Sequence, residues 1–237
     1  MLYTEFNFET GILSDELQRA SVPLHSRAME HPILNRIRQD GFTPFGWYSP
    51  RDMGETRFLI LIGNAGPQMF RRFARERNGA SMDDWTKRVV DGLAQDLGAE
   101  AAYPFDKPYR PFQQWARACG VAHQSPLGLN IHPTYGLWHA YRAALLFPVE
   151  FDMPRHAPSA HPCESCAVKP CLNACPVSAF DGRNYDVAAC AAHLHSENTC
   201  MAGGCKARLA CPVGRAYIYE PAQIRFHMDA FKAAHAQ

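Results

Sequence analysis

From Phe58 to Ile62 the chain is apolar without a break, flanked by Arg57 and Gly63, which is the pattern of a short strand buried on both faces. Gly63-Asn-Ala-Gly66 then turns the chain. Pro67 suits the first position of a helix, which is expected to run to about Asn78 and stop at Gly79. A second helix is expected from Ser81. Asp83 and Asp84 fall in its first turn, Trp85, Val89, Leu93 and Leu97 recur on one face, and Gly98 ends it. Phe112 to Cys119 reads as a third helix ending at Gly120. Trp138 to Phe147 reads as either a long strand or a buried helix, since its periodicity fits both. Phe151 to Pro162, with three prolines, reads as a linker. The tail from Pro221 to Gln237 places Ile224, Met228 and Phe231 near one face of a closing helix.

With 237 residues, 47% of them apolar, the chain has material for a core domain and a small additional module. A net charge of +1 offers no electrostatic argument for nucleic acid. No apolar run approaches the ~20 residues needed to span a bilayer, and the opening residues lack a basic start followed by an apolar stretch. The expectation is a cytoplasmic protein without a membrane or nucleic-acid partner.

The cysteines add chemistry to this pattern. Eight of the nine lie between Cys163 and Cys211, in two groups that each end in Cys-Pro. The first group is Cys163-x2-Cys166-x4-Cys171-x3-Cys175-Pro176, and the second supplies Cys190, Cys200, Cys205 and Cys211-Pro212. Two 4Fe–4S clusters require eight thiolates, and in the two-cluster ferredoxin arrangement the Cys before Pro serves the other cluster. The expected sets are therefore Cys163, Cys166, Cys171 and Cys211 for one cluster, and Cys175, Cys190, Cys200 and Cys205 for the second. Such a chain moves single electrons at low potential. A disulfide framework fits poorly, because the cysteine count is odd and no secretory leader is evident. Zinc is the rival, since four-cysteine zinc sites share the short Cys-x-x-Cys spacing. The loops are longer than the common ferredoxin spacing, and His161, His193 and His195 stand close enough in sequence to replace a thiolate.

A second motif lies upstream: Ile131-His132-Pro133-Thr134-Tyr135-Gly136-Leu137-Trp138-His139-Ala140-Tyr141-Arg142. It resembles the His-Pro-x-x-Gly-x-Trp-x-x-x-Arg region of the cobalamin-processing CblC proteins. It is also similar to the corresponding stretch of epoxyqueuosine reductases, which join a corrinoid domain to a two-cluster ferredoxin module, an architecture that corrinoid-dependent reductive dehalogenases share. The resemblance implies an α+β, flavin-nitroreductase-like sandwich over residues 1–155, a two-cluster ferredoxin-like module over 156–220 and a closing helix over 221–237. It implies an oxidoreductase that passes single electrons from the clusters to a bound cobalamin and removes its upper ligand. The alternatives are a cobalamin-dependent reductase of another small organic substrate and a ferredoxin-type electron carrier without a corrinoid. The implied partners are a corrinoid and an external donor such as a flavodoxin, a ferredoxin or a flavin reductase. Asp106, Arg142 and Tyr141 become candidate catalytic residues, Asp106 also opening a helix. Gly128, Asn130, His132, Tyr135, Gly136 and Trp138 become candidate cofactor-binding residues, the glycines by letting backbone approach the macrocycle. The Asp-x-His-x-x-Gly pattern of a cobalt-ligating histidine is not met, so His132 is expected to cap its turn and leave the cobalt without a protein ligand. Ser125-Pro126 stands where epoxyqueuosine reductases carry Gly-Lys. Only 26 residues follow Cys211, so a counterpart of their long tRNA-binding extension is not expected.

Overall fold

The computed structural model describes residues 31–154, 156–196 and 199–235. The first thirty residues of the expected 1–155 domain, and the last two of the expected closing helix, lie outside them. The elements run in the order α1 (Pro32–Gln39), β1 (Thr43–Tyr48), β2 (Phe58–Ala65), α2 (Gln68–Glu76), α3 (Met82–Leu97), β3 (Glu100–Ala102), α4 (Phe112–Ala118), β4 (His123–Gln124), β5 (Asn130–Ile131) and β6 (His139–Phe147). The cysteine-rich stretch then carries α5 (Pro170–Asn173), α6 (Val187–His195), α7 (Thr199–Gly203) and α8 (Lys206–Leu209), and α9 (Pro221–Ala234) closes the chain.

An antiparallel sheet in the order β1-β2-β6-β3 forms the centre. Alternation along its two inner strands sorts side chains between two cores. Phe58, Ile60, Ile62, Ala143, Leu145 and Phe147 meet α1, α2 and α3, while Leu59, Leu61, Ala144 and Leu146 meet Phe112, Trp115 and Ala116 of α4. Both faces are covered, which is why β2 reads as continuously apolar. Each leucine, isoleucine or phenylalanine among them contributes roughly 1.5–3 kcal/mol on burial. The helix over α3 is framed as its sequence indicates. The Ser81 hydroxyl accepts the Asp84 N–H at 3.0 Å, and Gly98 ends the helix in the left-handed region.

Between Trp138 and Phe147 the chain is a strand, and one irregularity in it matters for the site. The β2–β6 register shifts between Ile62 and Gly63, so Gly63 opposes Tyr141 and Arg142 is left over as a bulge. A bulge re-aims side chains. Here Arg142 joins Ala143 on the α3 side, bonding Asp83 and Thr86, whereas Tyr141 packs on the opposite core with Phe45. One expectation is corrected: no helix opens at Asp106. α4 begins after Pro111, because the intervening Lys107-Pro-Tyr-Arg-Pro111 offers two prolines that interrupt helical hydrogen bonding.

The chain leaves the sheet after Phe147, forms the cysteine-rich segment and returns. On the way back, the Asn64 amide donates to the Tyr219 hydroxyl at 3.0 Å, Arg71 pairs with Glu220, and Phe226 of α9 packs against Phe70 and Phe73. No helix among the described residues is long and apolar enough to cross a membrane.

Candidate functional site

Tight local turns bring the thiols together. Lys169 adopts a left-handed conformation that starts α5 at Pro170, and Cys171 follows at once. Cys190 lies in α6, whose N-terminus is capped by the Asp186 carboxylate accepting the Ala189 N–H at 2.9 Å. Cys200 is on α7, and Cys205 precedes α8. In space the thiols interact electrostatically in two sets. Cys163 feels Cys211, Cys171 and Cys166; Cys171 feels Cys211 and Cys166; Cys211 feels Cys166. Cys190 feels Cys175 and Cys200, Cys205 feels Cys190 and Cys200, and the Tyr185 hydroxyl stands by Cys190, Cys205 and Cys175. None of these couplings crosses between sets.

Burial, followed by the neighbouring thiols, pushes Cys163 up to about 11. Burial likewise raises Cys171, Cys190, Cys205 and Cys211. Several sulfurs already accept hydrogen bonds. Cys175 accepts the Ala179 N–H at 3.3 Å, Cys205 accepts from Ala207 and Arg208, Cys211 from Val213, and Cys190 from the Tyr185 hydroxyl. This donor set suits a cationic metal cluster: crowded thiols are costly as bare thiolates, a metal displaces their protons, and N–H donors to sulfur tune its potential. Among the described residues, no three histidine, cysteine or carboxylate side chains converge as ligands of a single metal ion. One tetrahedral zinc at Zn–S ≈ 2.3 Å needs sulfurs roughly 3.8 Å apart, and a four-iron cluster holds its cysteines wider.

Beside the first set lies a cavity of about 330 Å³, lined by Gln113, Leu129, Asn130, Leu137, His139, Tyr141, Arg208, Tyr219 and His227 among others. Leu137 belongs both to its wall and to the apolar cluster holding Cys171 and Cys211. His139 Nδ1 lies 3.1 Å from the Gly136 carbonyl, so that nitrogen carries the proton and donates. Its Nε2, 3.3 Å from the Tyr141 oxygen, is then the acceptor for the phenol. Burial lowers His139 to about 3, keeping the ring neutral, and burial raises Tyr141. Arg208 reaches from α8 to donate to the Leu137 carbonyl at 2.9 Å, its guanidinium packed against Trp138 and Tyr219.

The residues singled out upstream are distributed as follows. Tyr141 and Asn130 line the cavity. Asn130 donates to the Gln113 carbonyl at 3.3 Å and accepts from Arg117. Arg142 and Asp106 are on the other side of the sheet, Arg142 on Asp83 and Asp106 paired with Lys87 at 3.0 Å. His132 Nδ1 accepts the N–H groups of Thr134 at 3.0 Å and Tyr135 at 3.3 Å, a turn cap, and burial lowers the ring to about 4. Tyr135 stacks edge-on with Tyr217, and Trp138 is core, 2% exposed. Gly136 (φ +58) does take a close backbone approach, but from the protein itself. A Cβ there would lie 2.0 Å from the Val213 carbonyl oxygen, and one on Gly214 would lie 2.3 Å from Tyr135. Gly128 (φ +75) has nothing within 4 Å of its Cβ position. Arg208, His139 and His227 were not singled out from the sequence. Arg208 and His227 lie outside the His132–Arg142 motif, and only the fold brings them to the cavity.

No family model and no curated protein matches the chain. Solved structures do. An epoxyqueuosine reductase from Streptococcus thermophilus superposes with a TM-score of 0.53 at 13% identity, over 77% of this chain and 65% of that one. An epoxyqueuosine reductase with a tRNA-Tyr epoxyqueuosine-modified tRNA stem loop gives 0.51 at 13% identity, over 84% and 68%. A C. elegans B12-trafficking protein, CblC, gives 0.49 at 13% identity, over 84% and 94%. The fold of this chain is thus a mixed α/β fold with a small antiparallel sheet, similar to that of the epoxyqueuosine reductases. The chain spans about two thirds of the length of the first of these.

Proposed function

We propose that this chain is a cytoplasmic iron–sulfur oxidoreductase in which two 4Fe–4S clusters pass single electrons to a cobalamin bound at the cavity, removing its upper ligand. Cys163, Cys166, Cys171 and Cys211 would hold one cluster, and Cys175, Cys190, Cys200 and Cys205 the other. The observation that carries the reading is the segregation of eight thiols into two sets, the first of which shares Leu137 with the cavity wall. The fold likeness to the epoxyqueuosine reductases supports it. So does the similarity of the His132–Arg142 stretch to the CblC proteins.

At about 330 Å³ the cavity takes an edge of a corrinoid, with the remainder over its open mouth. The wall fits such an edge: the amides of Asn130 and Gln113 suit its amide periphery, and Leu129 and Tyr141 suit its apolar face. Cobalamin, if bound, would supply a metal centre that can be reduced one electron at a time. The chain's own part is to hold the clusters, to keep His139 neutral, and to present the Tyr141 hydroxyl as a hydrogen-bonding group at the cavity floor. Electrons would enter from a flavodoxin, a ferredoxin or a flavin reductase.

The test is anaerobic purification followed by metal, sulfide and spectroscopic analysis. Iron and sulfide should each approach about eight per chain, and the reduced clusters should develop cob(II)alamin bands with added hydroxocobalamin. Stoichiometric zinc without labile sulfide overturns the cluster assignment. Intact clusters with no spectral change on adding cobalamin overturn the corrinoid part and leave an electron carrier.

A further inference from the structure

The wall of the cavity carries a cation that has no anionic partner among the described residues. The Arg208 guanidinium carbon is 4.5 Å from the ring centroid of Trp138 and 4.7 Å from that of Tyr219. The two rings are 5.3 Å apart at 72° to each other, on neighbouring sides of the guanidinium and not on its two opposite faces. One edge of the fork, Nε and Nη2, donates to the Leu137 carbonyl. The Nη1 edge belongs to a side chain that lines the cavity, and no carboxylate pairs with Arg208 among the described residues.

Two side chains of α9 beside this wall are also unsatisfied. His227 Nε2, in the cavity lining, is buried without a hydrogen-bond partner, and so are both amide atoms of Gln223, whose side chain is fully buried. The two lie four residues apart and so on one face of the helix. Leaving a polar atom buried and unpaired costs roughly 1–3 kcal/mol, so the His227 nitrogen in the cavity lining is placed for a polar contact that the chain alone does not supply. No acidic side chain lines the cavity.

We propose that the cavity binds a small organic monoanion, a carboxylate, with its anionic group on the free edge of Arg208 and its apolar body against Leu129, Leu137 and Tyr141. This goes beyond the proposed function: the carboxylate would share Leu129 and Tyr141 with a corrinoid edge, so the two would compete for the cavity. The volume is at the small end of the ~300–1,000 Å³ range of small-molecule pockets, suited to a ring or short chain. A carboxylate is favoured over a phosphate because one fixed cation matches one charge. Burial holds His139 near 3 and His227 near 4, so neither adds a second charge at neutral pH.

The experiment titrates benzoate, benzamide and inorganic phosphate into the anaerobically purified full chain by calorimetry. Benzoate should bind saturably, benzamide at least about tenfold more weakly (~1.4 kcal/mol), and phosphate not measurably. Equal binding of benzamide, tighter binding of phosphate, or no binding of benzoate overturns the proposal. Arg208→Lys keeps the charge and loses the fork, and should weaken benzoate about tenfold. Because Arg208 also ties α8 to Leu137, Leu129→Trp provides a second variant, which puts an indole across the cavity without altering Arg208. It should abolish benzoate binding at unchanged iron and sulfide content, and retained binding refutes the site. Benzoate binding without any cobalamin response removes the cofactor reading and leaves this site standing. A cobalamin response without benzoate binding does the reverse.

Discussion

Gly136→Ala tests how the cysteine-rich segment is joined to the sheet domain. The new Cβ lands 2.0 Å from the Val213 carbonyl oxygen and 2.6 Å from its carbon, both backbone atoms with no rotamer to swing away. At φ +58 an L side chain also carries the left-handed penalty, ~1–2 kcal/mol. Relieving an overlap by moving backbone adds roughly 1–3 kcal/mol, giving a loss of about 2–5 kcal/mol. At 2–4 °C per kcal/mol for a chain of this size, the midpoint should fall on the order of 10 °C. Val213 donates its N–H to Cys211, so iron should be lost from the first set as well. Gly128→Ala is the matched control: its φ is +75 and its Cβ position is open, so it carries the conformational penalty alone. Thermal and urea unfolding of both variants, with iron content measured in parallel, decide the matter. Equal destabilisation of the two, or full iron retention in Gly136→Ala, refutes the reasoning.

Further outcomes are expected. Cys190→Ala should lower iron and sulfide by about half and leave one cluster signal by electron paramagnetic resonance, whereas loss of both signals would show that the two sets are not independent. Burial holds His132, His139 and His227 near 4, 3 and 4 against 6.5 when exposed, so their contribution is full above pH 6.5 and declines as pH falls toward the folded values. The unfolded chain takes up the protons first, at up to ~1.4 kcal/mol per pH unit for each ring, and His139→Asn should shallow the urea-midpoint profile below pH 6.5. Ser81→Ala should cost about 1 kcal/mol in urea unfolding through the lost cap of α3, with cluster content unchanged. Asp106→Asn removes a half-exposed pair with Lys87 and should cost no more than ~1 kcal/mol, and a larger loss would assign that carboxylate a role beyond the pair.

The legible parts of the fold are those where one periodicity runs long enough to exclude the others. β2 and α3 are of this kind, the first by its unbroken apolar run and the second by its cap, four-residue stripe and terminal Gly98. β6 is ambiguous in the sequence because a nine-residue strand covered on both faces has no alternation to display. β1 and β3 leave little trace: β1 mixes Pro44 and Gly46 into its apolar positions, and β3 is three residues long. The bulge at Arg142 is invisible for a physical reason, since it arises from pairing with Gly63 and not from local preference. It places Arg142 on the same face as Ala143 and turns Tyr141 to the other. The cysteine spacing is legible because each group is nearly local. Arg208 is not, because its place against Trp138 and Tyr219 depends on the return of the chain after Pro212. Gly136 reads as room for a ligand, and the room is taken by the backbone at Val213.

The returning chain limits how such proteins can be rearranged. A ferredoxin that hangs from its partner by a single tether can be exchanged between proteins by cutting once. Here the cysteine-rich stretch is entered after Phe147 and left through Tyr219, Glu220 and α9, each fastened to β2 or α2. Severing the proline-rich linker at Phe151–Pro162 would free one end only, and the other would stay rooted in the sheet domain. The stretch is an insertion between a body and its own last helix, so a recombination event that moved it would have to carry α9 and its docking face too. Any disturbance of the cysteine-rich stretch would then be felt at Phe70 and Phe73, through Phe226, as a loosening of the last helix.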